Sequence, residues 1–263
     1  MKQKACKKHS ENYITKIVGS CLSVIFWVVI WQIAANAIGK ELILPTPLSV
    51  GKHLIVLVRT GRFWKITATS VLRVLGGYAL GFIAGIVLAP AAAGNRIAAV
   101  LISTPVRVLR STPVASFVIL VMLFSKYTYV PVIISSIMVF PIIYQNVKTG
   151  IEKTDAGLKE VATVFRFGLV KKIRLLYFPS VRPYLMSAAV TALGLAWKSA
   201  IAAEVLCLPN RAIGSEIFYS KNYLETPDLF AWTLVVIVLG LIFEKLLEKT
   251  AIAEKAKQGG DKQ

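Results

Sequence analysis

Acidic residues, histidine and cysteine are all scarce in this sequence. Thirteen Asp and Glu stand against 31 Lys and Arg, a net charge of +18 over 263 residues. Charged residues make up only 17% of the chain, below the ~25% of a soluble domain. The only histidines, His9 and His53, are far apart, and Cys6, Cys21 and Cys207 show no CxxC spacing. A metal site of the usual His/Cys kind is not supported. No GxxxxGK[ST] run is present, so the chain has no loop to cradle nucleotide phosphates. What is abundant is apolar: 56% of residues are hydrophobic and the mean hydropathy is +0.67. That content excludes disorder. A nucleic-acid-binding protein would share the basic pI but not the long uncharged runs.

Those runs set the architecture, because a bilayer span needs about 20 apolar residues. Residues 17–39 carry no charge and form the first expected span. They follow a basic start and include Ala35-Asn36-Ala37, which resembles a cleavage site. The run is longer than the 7–15 residues of a signal-peptide core, so an uncleaved anchor is expected. Further spans are expected at 74–95, 97–125, 127–147, 184–206 and 229–247. The third is interrupted by Arg107, Arg110 and Pro113. The expectation is an all-α membrane protein of six transmembrane helices.

Basic residues orient it. With the N-terminus inside, the inner segments hold 19 Lys and Arg and the outer ones 8. Both termini are therefore expected in the cytoplasm of a bacterial cell (inner) membrane, although the first outer loop is itself basic. The resulting divisions are a tail at 1–16, an anchor at 17–39, an external loop at 40–66, a transmembrane domain at 67–248 and a disordered tail at 249–263. The 207–228 segment reads as a polar outer loop.

Small residues mark close helix packing. Gly77, Gly81 and Gly85 recur every fourth residue, as do Ala188, Ala192, Ala196 and Ala200. Such stripes let backbones approach in lipid, either within one subunit or against a second.

Ionisable residues inside spans are functional candidates by default. Arg107 and Arg110 lie three apart on one helix face, just before Ser111-Thr112-Pro113. Pro113 is expected to kink the span and free backbone groups to line a cavity. The two guanidiniums either bind an oxyanion, snorkel to the interface, or pair with acids in the bundle. Lys198 lies deep in the fifth span and is open to two readings, an anion in the pathway or an acid of a second protomer. Glu204 is expected near the outer end of that span, where an external protein docks, or in a structural role. Snorkelling accounts for Arg73. Trp27, Trp31, Trp64, Trp197 and Trp232 include interface anchors.

The inner segment 148–183 is the most informative. Leu158, Val161, Ala162 and Phe165 fall at i, i+3, i+4 and i+7, one face of a helix. Asp155 is placed to cap its N-terminus, with Glu160 early in the helix. A second short helix carries Lys171, Lys172 and Arg174 beside Ile173, Leu176 and Tyr177, and Pro179 and Pro183 are expected to stop it. A segment this short has no core of its own. Its apolar face must meet the membrane domain, lipid headgroups or a partner's groove.

The same segment resembles a known family. Glu160-Val161-Ala162, with Pro179 nineteen residues after the glutamate, is similar to the EAA loop of binding-protein-dependent ABC transporter permeases. The pattern is Glu-Ala-Ala, three residues, Gly, nine residues, Ile, one residue, Leu-Pro. Leu176 and Phe178 stand for the Ile and the Leu. The departure is Arg166, which occupies the glycine position, with Gly168 two residues later. Four more stretches resemble the nitrate, sulfonate and taurine branch. They are Ile43-Leu44-Pro45-Thr46-Pro47, the Ser70-to-Tyr78 run with Arg73 and Gly77, Leu109-Arg110-Ser111-Thr112-Pro113-Val114-Ala115, and Leu195-Ala196-Trp197 with Ala203-Glu204.

The resemblance implies a type I importer permease that works as a pair, here a homodimer. A cytoplasmic ABC ATPase subunit would dock on the 150–182 loop, through Asp155, Leu158, Glu160, Val161, Ala162, Phe165, Arg166, Gly168 and Pro179. An extracytoplasmic solute-binding protein would deliver a small anion, sulfonate-, nitrate- or taurine-like. Arg107, Arg110, Pro113, Lys198 and Glu204 are the pathway or gate candidates, and Gly77, Gly81, Gly85, Ala192 and Ala196 the packing residues. ATP and Mg would sit on the ATPase, so this chain is expected to hold no cofactor and no metal, to catalyse nothing, and to contact membrane lipid but no nucleic acid. Two rivals remain at this level: an ion-gradient-driven secondary carrier or channel, and a membrane-anchored enzyme or scaffold. The first needs intramembrane acids, of which only Glu204 and Glu244 qualify. The second needs a polar catalytic cluster that the sequence does not show.

Overall fold

The computed structural model describes Gly19 and residues 22–260, with side chains through Leu247 and at Lys249. His9, Cys6, Cys21 and the 1–16 tail lie outside the described residues. Among the described residues the chain consists of helices joined by short connections, without strands. The helices are α1 (Leu22–Ile38), α2 (Pro47–Val58), α3 (Gly61–Gly94), α4 (Arg96–Ser111), α5 (Val114–Phe124) and α6 (Val130–Glu152). They continue with α7 (Ala156–Val164), α8 (Leu169–Lys172), a π turn (Ile173–Tyr177), α9 (Phe178–Cys207), α10 (Ile213–Asn222) and α11 (Thr226–Gly260).

Four described helices are long and apolar enough to cross a membrane: α3, α6, the joined α8–α9 rod and the first part of α11. The α4–α5 pair is a fifth if it counts as one broken crossing. The expected six therefore depend on α1, whose described part stays below a full span.

α6 is the centre, packed between α3 and α9. The glycine stripe makes the first contact. A Cβ on Gly77 would stand 2.3 Å from the Val132 carbonyl oxygen, one on Gly81 2.5 Å from that of Ser136, and one on Gly85 2.7 Å from Ile143 Cβ. On the other side Ala188, Ala192, Ala196 and Ala200 are all buried. Both small-residue stripes are thus spent inside one chain, not on a second subunit. Trp197 and Trp232 are core residues as well. Trp197 Nε1 donates to the Val236 carbonyl at 3.0 Å, and Trp232 stacks on Phe63 at 5.3 Å. Trp27 and Trp64 remain exposed, as interface anchors should.

Several polar-looking segments are helical. The 40–66 stretch holds α2, capped by Thr46 accepting from Ser49 N, and the start of α3, capped by Thr60 accepting from Phe63 N. The 207–228 stretch holds α10, whose Ile213, Gly214, Ser215 and Ser220 are buried. It packs on α9, α11 and α3 instead of looping outward. α11 runs to Gly260, through most of the tail expected to be unstructured.

Proline acts differently at two places. Pro113 and the extended Thr112 before it (φ −87°, ψ 134°) break the third segment, because the ring removes a donor and disfavours helix at the preceding residue. α4 and α5 are bent by 110° there, so the 97–125 run is two helices and not one kinked span. Pro179 and Pro183, expected to stop a helix, do not. The π turn just before Pro179 adds a residue to the helical circuit, with Phe178 N–H bonding Ile173 O. The wider turn accommodates the proline, and α9 continues.

Candidate functional site

The inner segment forms as its residues dictate. Asp155 caps α7, its Oδ1 accepting from Leu158 N at 2.9 Å. The helix ends in a Schellman turn: Phe167 N bonds Ala162 O at 2.9 Å and Arg166 N bonds Thr163 O at 3.0 Å. That motif needs a left-handed residue just past the cap, and Arg166 takes it with φ 47°. The turn therefore stays at the position where the resembled pattern has glycine, and Gly168 opens α8 with an ordinary φ of −65°. Of the expected face, Ala162 is buried, while Leu158, Val161 and Phe165 are exposed. Val164, Leu169, Val170 and Ile173 add to this apolar surface. Glu160 is exposed beside it, and Pro179 lies inside the α8–α9 rod.

A second candidate region lies along α9. Ser187, Thr191, Leu195, Lys198, Ala202 and Leu206 are all exposed and recur every three or four residues, one stripe of the helix. Two cavities open on it. One, about 300 Å³, lies at the α4–α5 break, where Arg110, Thr112 and Val114 face Pro141, Ile142 and Leu195. The other, about 500 Å³, is lined by Val190, Thr191, Gly194, Leu195, Lys198 and Glu244. Leu195 borders both. Thr112 and Val114, the neighbours of Pro113, line the first cavity, and Arg110 lines it with them. Arg107 is exposed but does not line either cavity.

Glu204 and Arg73 form a third cluster, which overturns the snorkelling of Arg73 and, of the two readings of Glu204, fits the structural one. Glu204 is fully buried. Its Oε2 accepts from Ser70 Oγ at 2.9 Å and from Gly214 N at 3.2 Å. Arg73 Nη1 reaches its Oε1 at 3.5 Å. Arg73 also donates to the Asn210 carbonyl at 2.9 Å and the Arg211 carbonyl at 3.3 Å. It does not snorkel, and Glu204 is not an exposed docking residue. A carboxylate withdrawn this far costs several kcal/mol unless donors surround it, and three do. Two of the contacts finish α10. Ala212 supplies no side-chain cap, so Ser70 Oγ takes the Ile213 N–H at 3.0 Å and Glu204 takes that of Gly214. The negative charge sits where the helix dipole favours it. Gly214 had no signal in the sequence, yet a Cβ there would stand 2.5 Å from Glu204 Cβ.

Among the described residues, no three of His, Cys, Asp and Glu stand close enough to hold a metal ion.

A bundle of apolar helices, an interrupted helix pair beside the α9 stripe that carries Lys198, and an exposed apolar segment have the character of a multi-pass membrane protein. The chain belongs to the family of binding-protein-dependent transport system inner membrane components, whose model matches residues 78–248. It is similar to the SsuC permease of Escherichia coli, named for aliphatic sulfonates transport, at 28% identity over 85% of this chain and 82% of that one. It is similar to the bicarbonate transport system permease CmpB of Synechococcus elongatus at 25% identity, covering 85% and 84%. A solved amino acid ABC transporter shares the fold, with TM-score 0.62 at 16% identity over 78% of this chain and 97% of that one. Membership in this family sets the gradient-driven carrier aside.

Proposed function

We propose that this permease subunit forms half of the solute pathway of an ATP-driven importer for a small acidic solute. It pairs with a second copy, with both termini in the cytoplasm of the inner membrane. A binding protein delivers solute at the outer face, and a cytoplasmic ATPase holding ATP and Mg drives the cycle. The ATPase docks on the 150–182 loop. One observation carries the coupling role: α7, capped by Asp155, and the start of α8 leave Leu158, Val161, Phe165 and Leu169 exposed. An apolar helix face of this kind suits a partner's groove. The small-acid reading is supported by Arg110 and Lys198 at the two α9 cavities and by relatives named for sulfonate and bicarbonate transport.

The test is purification of the tagged chain in mild detergent, followed by mass spectrometry. An ATPase subunit near one-to-one stoichiometry is the expected result. A stable assembly without an ATPase, under conditions that hold other importers together, refutes the coupling role.

A further inference from the structure

The α9–α11 cavity contains two opposite charges. Lys198 lines it from α9 and Glu244 from α11, at the level of Gly194. Glu244 Oε1 lies 3.2 Å from where a Cβ on Gly194 would stand, so the carboxylate is turned toward α9. Gly194 is one helical turn from Lys198, about 6 Å along the axis. The two charges therefore stand a turn apart along one wall of the cavity. No ion pair joins them, and neither has another salt-bridge partner among the described residues. Both belong to segments long and apolar enough to cross the membrane.

Unpaired charges at membrane depth are costly and mark a pathway or a partner. A simple anion would satisfy Lys198 but meet repulsion from Glu244. A simple cation would reverse the difficulty. A small molecule bearing an acid and an ammonium group satisfies both and enters with no net charge. Gly194 leaves the space between them open.

We propose that this cavity binds the transported solute and that the solute is a small zwitterion, its acid group on Lys198 and its ammonium group on Glu244. This rests on the importer reading and narrows its solute class. Glu244 and Lys198 thereby become the specificity-determining residues of the pathway.

The experiment uses the whole permease–ATPase complex in lipid nanodiscs, without binding protein, and reads ligand contact by saturation-transfer NMR. The probes are 2-aminoethanesulfonate, β-alanine and glycine betaine against ethanesulfonate and propionate. At least one zwitterion should bind about tenfold better than its matched anion. Glu244→Gln should erase that preference while the anion still binds, and Lys198→Met should lose both. Equal binding of zwitterion and anion, no zwitterion binding, or an unchanged preference in Glu244→Gln overturns the proposal. A charge-swapped chain, Lys198→Glu with Glu244→Lys, addresses pairing between two copies. If each single change dissolves the permease dimer and the swap restores it, the charges bind each other across the interface and the solute role falls. The ATPase content of each preparation separates the two levels. ATPase retained with no zwitterion preference defeats only this inference, whereas ATPase absent from the unaltered complex defeats the importer reading beneath it.

Discussion

Arg73 and Glu204, 131 residues apart in sequence, meet at 3.5 Å beneath the start of α10. The pair joins α3 to α9, and through Gly214 N and the carbonyls of Asn210 and Arg211 it fixes the turn leading into α10. Leu208 and Arg211 hold positive φ in that turn, 49° and 54°. Non-glycine residues do so only when their surroundings over-determine the conformation. Arg73 supplies part of that determination.

Removing one partner should therefore be worse than removing a surface ion pair. Glu204→Ala leaves a guanidinium 9% exposed without its counter-charge and strips the cap from α10. A loss of about 3 kcal/mol is expected for a broken buried pair. Thermal unfolding of the detergent-solubilised protein reads it, with faster proteolysis between residues 208 and 212. Stability unchanged within experimental error would show that the network contributes little.

The members of this network were visible in the sequence only as separate signals. Ser70 and Arg73 stood in one recognisable stretch and Glu204 in another. Nothing in the 3.6-residue periodicity says that two helices place those stretches face to face. Arg73 beside an apolar run suggests snorkelling because that explanation is local, whereas its partners are long-range. The glycine and alanine stripes were legible as close packing, since steric room is a property of the residue itself, but the partner helix was not. The 207–228 segment reads as a loop because a short helix capped by other helices carries no capping residue of its own. In contrast, the α7 helix, its Asp155 cap and its apolar face were fully local and were legible.

Arg166 offers a second test. Its φ of 47° is a conformation that costs an L-residue with a Cβ about 1 kcal/mol relative to glycine. Arg166→Gly should stabilise the turn after α7 by about that amount and retain solute-stimulated ATP hydrolysis. Hydrogen exchange across 156–168 should slow. Arg166→Val, β-branched and ill-suited to positive φ, should speed it. Loss of ATP hydrolysis in Arg166→Gly with slowed exchange would assign the guanidinium a contact of its own on the ATPase.

The exposed face of α7 predicts a separation of functions. Val161→Asp and Phe165→Asp place a charge on side chains that are 47% and 71% exposed, so neither disturbs the core. Membrane insertion and thermal stability should stay within about 0.5 kcal/mol, as for other surface changes. ATPase co-purification should fall at least tenfold, because a charge buried in an apolar groove stays unpaired. Full ATPase recovery with either variant would remove this face from the docking surface.

Gly76 and Gly77 are neighbours with opposite expectations. A Cβ on Gly76 meets nothing within 4 Å, whereas one on Gly77 would lie 2.3 Å from the Val132 carbonyl oxygen and 2.6 Å from Ser135 Cβ. Both atoms belong to α6, and one is backbone, so neither can rotate away. Gly77→Ala must push α3 off α6, at a cost of about 1–3 kcal/mol for overpacking. The displacement would also strain the Ser135 Oγ bond to the Val74 carbonyl, now 3.2 Å. Gly76→Ala should be neutral or stabilising by up to about 1 kcal/mol, since alanine holds a helix better than glycine. Paired melting curves in one detergent decide it. If the two variants melt together, α3 and α6 do not pack as closely as the backbone positions require, and the glycine stripe belongs to some other contact.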